Sequence, residues 1–420
     1  MNALKIFLGL VPSADIDRYL YDKNNLLRTK QMTQTLTPMR PRIVLADSLR
    51  GFALMGLYIV HMVEYFELYW YKPEPGWVHN LIFFLFGGKA YGLFALLFGL
   101  SFFIILDNYQ RRGQDFRLRF CWRLTVLLVF GYLHSLLYAG DILQLLALCG
   151  FLLVLSHHLS TRWLIGFAAF FLIQIPQIIL IILYSIVPEW SYPGPRFPGL
   201  MMANFEVFAH ADLPGLLRHN LMEGQWGKWA FFLETGRLWN IIGLMFVGAV
   251  LGRSGFFEKT DFKATRLMIY LMAAVVSYLV LWALKGGAIN LAPDGMPRWA
   301  AGQVFTYYEN LALIAAGVFL FILLFNATFS RRLLMCFAPA GRLTLTFYIA
   351  QSLVFVPVYY GFGLAAYSFM GQVPSLLLGV ACWLIQMVLA WFWLRNFRYG
   401  PLEWVWRKLT FIGFNSVRTN

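Results

Sequence analysis

Long apolar stretches separated by short polar segments run through most of the chain. A membrane-spanning helix needs about 20 mainly apolar residues, and most of these stretches reach that length. The pattern therefore predicts an all-α fold, a polytopic membrane helix bundle with about ten transmembrane helices. The predicted spans cover approximately residues 51–71, 77–106, 120–139, 142–156, 163–188, 236–252, 266–284, 303–329, 338–365 and 374–395.

The same pattern divides the chain into three parts. Residues 1–42 form a polar leader, residues 43–410 hold the ten predicted helices, and residues 411–420 form a short tail. The longest predicted outer connection, about 189–235, is rich in Pro and aromatic residues. It would either fold over the outer mouth of the bundle as a cap or form an ordered loop with interfacial aromatic side chains.

Composition supports a membrane protein and excludes a soluble one of this length. Apolar residues make up 60% of the chain and charged residues 13%, and the charged share is about half that of an ordinary soluble domain. The four cysteines lie in apolar runs without metal-site spacing. We therefore expect buried free thiols and no metal.

Basic residues are distributed unevenly along the chain. A net charge of +14 would suggest a nucleic-acid partner in a soluble protein. Here most of the 34 Lys and Arg residues fall in the leader, the even-numbered loops and the tail. The positive-inside rule produces this asymmetry, so we expect both termini in the cytoplasm, a lipid bilayer as the surroundings and no nucleic-acid partner.

Ionisable residues inside the predicted spans are the main candidates for function. Each one near a span centre costs on the order of 2.5 to 3.5 kcal/mol on insertion scales, so it needs a partner or a water-filled cavity. These residues are Asp47, Arg50, His61, Glu64, Lys89, Arg123, His134, Asp141, Arg237, Glu309 and Arg342.

The first span carries two pairs with a spacing of three residues. Asp47 and Arg50 share a helix face and can form an anchoring ion pair. His61 and Glu64 share a face further along the same span. As a coupled imidazole and carboxylate, they would either transfer a proton or satisfy each other.

The third predicted span ends near His134, and Asp141 follows after the turn at Gly140. A tight turn between two helices would bring the carboxylate back to the imidazole, which would fix one tautomer and make His134 a better base. Asp141 is equally suited to cap the N-terminus of the next helix. The two roles are compatible.

Lys89, Arg123 and Arg342 are cations within or at the inner ends of predicted spans, each beside small or polar residues. Together they could receive an anionic ligand such as a nucleotide phosphate. Alternatively, each one reaches the lipid headgroups along its own apolar stem.

Small residues recur at helical spacing in two spans. Gly88, Gly92 and Gly99 lie in the second, and Gly248 and Gly252 form a GxxxG pair in the sixth. We predict that these glycines let neighbouring helices pack closely.

Five blocks in fixed order resemble the YeiB-like family of bacterial inner-membrane proteins of unknown function. The resemblance covers about residues 43–410. This family is grouped with the transmembrane acyltransferase superfamily, which is similar to heparan-alpha-glucosaminide N-acetyltransferase. The blocks are DSLRGFALMGL, GGKAYGLFALLFG, HSLLYAGDIL, GRLTLTFYIAQ and WLRNFRYGPLEWVWRKLT.

The resemblance implies a multi-pass protein of the bacterial inner membrane that transfers an acyl group, acetyl as first candidate, from cytoplasmic acyl-CoA. The acceptor would be a hydroxyl or amine of a carbohydrate, a lipid or another small molecule, and a homo-oligomer is a possible assembly. The family's characteristic residues fall on His134 and Asp141, on Arg50, and on Arg342 and Gln351. This chain departs from the family pattern in having histidine at position 61, where the family usually has asparagine.

Our leading hypothesis is a membrane acyltransferase, and the alternative is a transporter or lipid flippase whose buried charges line a pathway. The hypothesis gives catalytic roles to one group of residues and acyl-CoA binding to another. The catalytic candidates are His134, Asp141, His61 and Glu64, and the binding candidates are Arg50, Lys89, Arg123, Arg342 and Gln351.

Overall fold

A computed structural model describes residues 42–190, 194–258 and 262–412 of the chain. All regular structure in these residues is helical, with seventeen α-helices and four short 3-10 turns. The predicted leader up to residue 41 and the tail from residue 413 lie outside the described residues.

The helices follow one another through short connections, and the 3-10 turns lie between some of them. The first nine helices are α1 (Val44–Val63), α2 (Trp77–Leu85), α3 (Lys89–Gln110), α4 (Arg117–Leu137), α5 (Leu143–Ser156), α6 (Thr161–Leu172), α7 (Ile175–Ile186), α8 (Phe197–His210) and α9 (Leu213–Glu234). The others are α10 (Arg237–Arg253), α11 (Ala264–Asn290), α12 (Met296–Asn326), α13 (Thr328–Met335), α14 (Ala338–Arg342), α15 (Thr344–Tyr359), α16 (Gln372–Asn396) and α17 (Pro401–Phe411). The 3-10 turns are Tyr65–Trp70, Pro188–Trp190, Phe256–Glu258 and Ala366–Ser368.

Within the described residues, six helical segments are long and apolar enough to cross a membrane: α1 with the turn after it, α2 with α3, α4, α11, α12 and α16. Two bent pairs, α6 with α7 at 42° and α9 with α10 at 67°, raise the number to eight if each pair is one span. The shorter apolar helices α5 and α15 match the fourth and ninth predicted spans. The chain is thus a helical membrane protein, while ten crossings and two cytoplasmic termini stay predictions.

The segment 189–235 contains two helices, although the sequence pattern indicated an outer loop or cap. α8 packs against α9, and the N–H of Gly361 donates a 2.9 Å hydrogen bond to the carbonyl oxygen of Phe208 in α8. α9 continues into α10 through a break at Thr235 and Gly236, where glycine adopts a left-handed φ of 80°. The sequence pattern did not identify α9 as a helix of the bundle, because its polar residues are too many for it to resemble a membrane span.

Glycines set the closest helix contacts, as the sequence pattern predicted. α3 and α10 cross at Gly99 and Gly248. A side chain on Gly99 would overlap the carbonyl oxygen of Met245, and one on Gly248 would overlap that of Leu96. The two backbones are therefore in direct contact. Gly88 has a different role, since its φ of 77° separates α2 from α3.

Several basic segments lie together at one end of the bundle, which we call the basic end. Arg253 at the end of α10 donates a 2.8 Å hydrogen bond to the carbonyl oxygen of Leu159 in the α5–α6 connection. Trp122 near the start of α4 donates a 2.9 Å hydrogen bond to the carbonyl oxygen of Leu409 in α17. The 3-10 turn Tyr65–Trp70 and the α4–α5 connection lie at the opposite end.

Candidate functional site

His134 and Asp141 meet across the connection between α4 and α5. The distance between His134 Nδ1 and Asp141 Oδ1 is 2.8 Å, and the two side chains are 1% and 0% exposed. The other carboxylate oxygen accepts a 3.1 Å hydrogen bond from the N–H of Gln144, in the first turn of α5. One carboxylate therefore makes both contacts that the sequence suggested, with the imidazole and with the start of the next helix.

A glycine makes this approach possible. Gly131 lies three residues before His134 on α4, and its backbone faces the start of α5. A Cβ at this position would lie 2.7 Å from the backbone nitrogen of Gln144 and 2.8 Å from Asp141 Oδ2. Both distances are too short, so any larger residue would push α5 and its carboxylate away from the imidazole.

The second ring nitrogen of His134 is buried and has no hydrogen-bond partner among the described residues. Because Nδ1 faces a carboxylate, the neutral imidazole carries its proton on Nδ1 and leaves a lone pair on Nε2. The rings of Tyr348 and Tyr138 flank the imidazole at centroid distances of 5.1 and 5.9 Å. The arrangement leaves Nε2 as an acceptor that can take a proton from a bound molecule.

His61 contacts Tyr138 and not Glu64, so the predicted His61–Glu64 pair is wrong. His61 Nδ1 lies 3.1 Å from the Tyr138 hydroxyl, which donates a 2.9 Å hydrogen bond to Glu67 Oε1. Glu64 instead accepts a 2.6 Å hydrogen bond from Trp70 Nε1. The reason is that α1 ends at Val63, so the helical spacing no longer relates positions 61 and 64.

The turn after α1 places Glu67 next to Tyr138. Three successive residues that are not glycine, Tyr65, Phe66 and Glu67, have φ values of 52°, 48° and 86°. Left-handed backbone costs roughly 1 to 2 kcal/mol per residue, so tertiary packing must hold this turn. The missing side chain of Gly140 leaves room for the contact, because a Cβ there would overlap Glu67 Oε1 and the Tyr138 hydroxyl.

Two cations of α9 and α10 complete this interior. Lys228 is 3% exposed, and its Nζ has no hydrogen-bond partner among the described residues. Its charge acts on Asp141 and Glu67. The guanidinium of Arg237 lies over two rings, 4.5 Å from the centre of Tyr91 and 4.4 Å from the centre of Phe231.

Glu67 and Lys228 were not among the residues predicted from the sequence. Glu67 lies near the end of the first predicted span, where a carboxylate is usually at the interface. A second acidic residue three positions after Glu64 in an apolar stretch was the signal that could have identified it. Lys228 lies in the segment that was predicted to be an outer connection, so nothing in the sequence indicated that its side chain is buried.

Three of the predicted binding cations lie at the basic end. Arg50 pairs with Asp47 at 2.9 Å, as predicted, and donates a 2.7 Å hydrogen bond to Ser101 Oγ in α3. Arg342 Nη2 donates to the carbonyl oxygen of Arg398 at 3.3 Å. The Arg123 guanidinium stacks 3.6 Å from the ring centre of Trp406 in α17.

Lys89 and Gln351 lie apart from these three cations. Lys89 starts α3 and donates a 3.0 Å hydrogen bond to the carbonyl oxygen of Phe83. It precedes Ser101 by twelve residues, or about 18 Å of helix rise, so it cannot share a site with Arg50. Gln351 is buried within α15 and donates a 2.9 Å hydrogen bond to Gln386 Oε1. The predicted binding set is therefore not one site.

No group of three or more His, Cys, Asp and Glu side chains in the described ranges could hold a metal ion. The four cysteines are free thiols, as predicted, but only Cys149 is fully buried and the other three are partly buried.

Known proteins resemble this chain over most of its length. Residues 251–413 match the family described as "Protein of unknown function (DUF418)". The chain is 25% identical over 408 residues to the uncharacterized protein YxaH of Bacillus subtilis (strain 168), covering 90% of this chain and 96% of YxaH. It is 26% identical over 390 residues to the uncharacterized protein YeiB of Escherichia coli (strain K12), covering 88% and 96%. The matches support the YeiB-like resemblance.

A third similar protein is the "Uncharacterized 39.9 kDa protein in amylase 3'region" of Bacillus acidopullulyticus. It is 25% identical over 382 residues, which cover 88% of this chain and 94% of that protein. The printed names of these YeiB-like relatives state no activity, so chemistry must be argued from the site itself.

α4 connects the two chemical regions of this chain. Arg123 lies near its start at the basic end, and His134 lies eleven residues later, after about 16 Å of helix rise.

Proposed function

We propose that this protein is an acyltransferase of the bacterial inner membrane that moves an acyl group from acyl-CoA to a hydroxyl or amine acceptor. The observation that carries the proposal is the buried His134–Asp141 pair, in which Nε2 has no partner among the described residues. A base oriented by a carboxylate is what acyl transfer to an oxygen or nitrogen nucleophile requires. Acetyl-CoA is the first donor to test.

In the proposed reaction, His134 Nε2 accepts the proton of the acceptor O–H or N–H. The acceptor oxygen or nitrogen forms a bond to the thioester carbonyl carbon, and the bond from that carbon to sulfur breaks. The imidazolium then returns its proton to the departing thiolate, so His134 ends neutral. Asp141 stabilises the imidazolium and keeps the proton of the resting ring on Nδ1.

Transfer of radiolabelled acetyl groups tests the proposal. Purified protein in detergent is incubated with acetyl-CoA and a panel of sugar, lipid and amine acceptors, and labelled products and thioester hydrolysis are both measured. We expect His134→Ala to lower transfer by about 10²- to 10⁴-fold, the usual contribution of a general base. His158→Ala is the matched control, because His158 is exposed at the end of α5. Equal transfer by the wild-type protein and His134→Ala would contradict the proposal.

A second candidate function is transport, and the bent pair of α9 and α10 favours it. The break at Gly236 lies next to Arg237 and near the end of the helix that carries buried Lys228. Broken helices with charged groups beside the break are typical of transporter binding sites. Substrate flux into proteoliposomes without any acylated product, abolished by Arg237→Gln, would replace the acyltransferase proposal with this one.

A further inference from the structure

α17 is held in a fixed position at the basic end by its inner face. Glu403 accepts hydrogen bonds from the N–H groups of Leu345 and Thr346, at 2.8 and 3.1 Å, and so caps α15. Trp406 on the same face donates a 2.9 Å hydrogen bond to the carbonyl oxygen of Arg123. Because both contacts join α17 to spanning or buried helices, its outer face has a defined orientation.

The outer face of α17 alternates aromatic and cationic side chains. Trp404, Arg407, Lys408 and Phe411 follow the spacing i, i+3, i+4, i+7, which places them on one side of a helix. Together with Tyr399 and Ile412 they line a groove of about 390 Å³, a volume within the range of small-ligand pockets.

Rings and cations in this groove lie close together. Lys408 Nζ lies 4.1 Å from the ring centre of Trp404, and the Arg407 guanidinium lies 5.0 Å from that of Tyr399. Two further guanidinium groups border the groove, since Arg119 lies over Phe411 and Arg398 over Tyr399.

The groove also lacks a neutralising carboxylate from its own helix. Glu403 is the one acidic residue in the sequence of α17, and it is turned inward to cap α15. The outer face therefore presents positive charge, which favours an anionic ligand.

We propose that this groove binds a phosphoadenosine nucleotide, with Arg407 and Lys408 contacting its phosphates and the rings of Tyr399 and Trp404 stacking on its base. Cationic side chains bind phosphate oxygens through charge-assisted hydrogen bonds. Aromatic rings stack on bases of any sequence. The inference rests on the proposed function in one respect. It identifies the occupant of the groove as acyl-CoA, which carries such a nucleotide at its polar end.

Lipid phosphates share part of this chemistry, because Trp, Arg and Lys are common at membrane interfaces. The groove offers more than a headgroup uses, namely two aromatic rings beside the two cations that face its interior. A base can stack on those rings, whereas a lipid phosphate by itself needs only the cations.

The position of the groove agrees with the site at the far end of α4. Arg119 of α4 lies over Phe411 at the groove, and His134 follows fifteen residues later, after about 22 Å of helix rise. A long acyl donor that is held by its nucleotide in the groove would have to span this distance to bring its thioester to His134 Nε2.

Nucleotide binding to the full chain tests the inference. The protein is placed in nanodiscs of phosphatidylcholine and titrated calorimetrically with adenosine 3′,5′-bisphosphate and with coenzyme A. We expect saturable binding of both, weakened about tenfold or more in Arg407→Gln/Lys408→Gln, because two charge-assisted contacts are lost. Trp404→Ala should weaken binding while Trp404→Phe restores most of it. Arg331→Gln is the matched control, since Arg331 also lies over a ring, that of Phe325, away from the groove.

Three results separate the explanations. Absence of saturable nucleotide binding by wild-type protein, or equal binding by the double variant, overturns the inference. Binding of phosphatidylserine vesicles that depends on Arg407 and Lys408, without nucleotide binding, assigns the groove to lipid phosphates and overturns it as well. His134→Ala should bind nucleotide like the wild type. Intact nucleotide binding by a wild-type protein that transfers no acyl group would reject the proposed function and keep the groove.

Discussion

The Tyr138 hydroxyl donates a 2.9 Å hydrogen bond to Oε1 of Glu67 and also lies 3.1 Å from His61 Nδ1. A phenol has a single proton to donate, so His61 must carry its own proton on Nδ1 and donate it to Tyr138. His61 Nε2 is then an acceptor. Both histidines of the interior thus have their Nδ1 committed to a chain of hydrogen bonds that ends at a carboxylate, Asp141 for His134 and Glu67 for His61.

Tyr138→Phe should destabilise the protein by about 1 to 3 kcal/mol, because buried polar atoms of His61 and Glu67 lose their partner. We expect a lower Tm in detergent, measured by the intrinsic fluorescence of the tryptophans. Tyr132→Phe is the control, since its hydroxyl donates to the carbonyl oxygen of Leu221 at an exposed position. A Tm of Tyr138→Phe equal to that of the control would show that the hydrogen-bond chain contributes nothing to stability.

Gly248→Ala should prevent or severely weaken the packing of α3 on α10. The added methyl group would overlap the backbone oxygen of Leu96, and backbone cannot move aside as a flexible side chain can. Gly286→Ala lies inside α11 with open space around it, so it should leave the Tm unchanged or raise it slightly. Size-exclusion chromatography and Tm of the two variants provide the measurement. Similar behaviour of both would mean that the α3–α10 contact is looser than described.

Asp141→Asn should change the tautomer of His134 more than the fold. An asparagine oxygen can still cap α5, but its NH₂ group would donate to Nδ1 and shift the ring proton to Nε2. We expect a Tm near that of the wild type, an Nε2–H signal for His134 in ¹⁵N NMR and acyl transfer lowered by about 10²- to 10⁴-fold. Full transfer activity in a protein that shows the Nε2–H tautomer would rule out His134 as the base.

The Glu403 carboxyl makes the stability of the folded protein depend on pH, and the direction of this dependence follows from its pKa. Burial raises the pKa of this carboxyl above its ordinary value of 4.5, even though hydrogen bonds from Thr346 oppose the shift. The folded state therefore binds more protons than the unfolded state, so the stability contribution is complete below about pH 4.5 and is lost as pH rises through the folded pKa.

Glu403→Gln removes this titration. We expect the Tm of the wild type to fall relative to that of Glu403→Gln as pH rises above about 4.5. Glu74→Gln is the control, because Glu74 is an exposed carboxylate. A Tm difference between the wild type and Glu403→Gln that stays constant with pH would contradict the raised pKa.

Local features of this chain could be predicted from its sequence, and contacts between distant segments could not. The His134–Asp141 contact followed from a short turn between two helices. Glycine spacing predicted close packing at Gly99 and Gly248, and the structure alone identified the two as partners. The His61–Glu64 pair failed because α1 ends in three left-handed residues, and none of them is a glycine that would have signalled the turn.

How deep each side chain lies within the bundle could not be predicted from the sequence either. Lys89 resembled the other cations beside small residues, yet the break at Gly88 places it far from Arg50 along α3. Lys228 is buried because it lies on α9. That helix was not predicted from the sequence, because its polar and apolar residues are mixed. The groove on α17 could not be predicted from the sequence either. Its outer face is free of carboxylates only because Glu403 is turned toward α15 in the folded chain.

The crossing of Gly99 and Gly248 also determines which parts of the molecule can move. At this crossing the carbonyl oxygens of each helix lie against the other backbone, so no side chain separates α3 from α10 there. They must therefore travel as one rigid unit. Any motion that admits or releases a ligand has to occur between other helices, and α11, with only 6% of its apolar stretch buried, is the least buried of the six spanning segments.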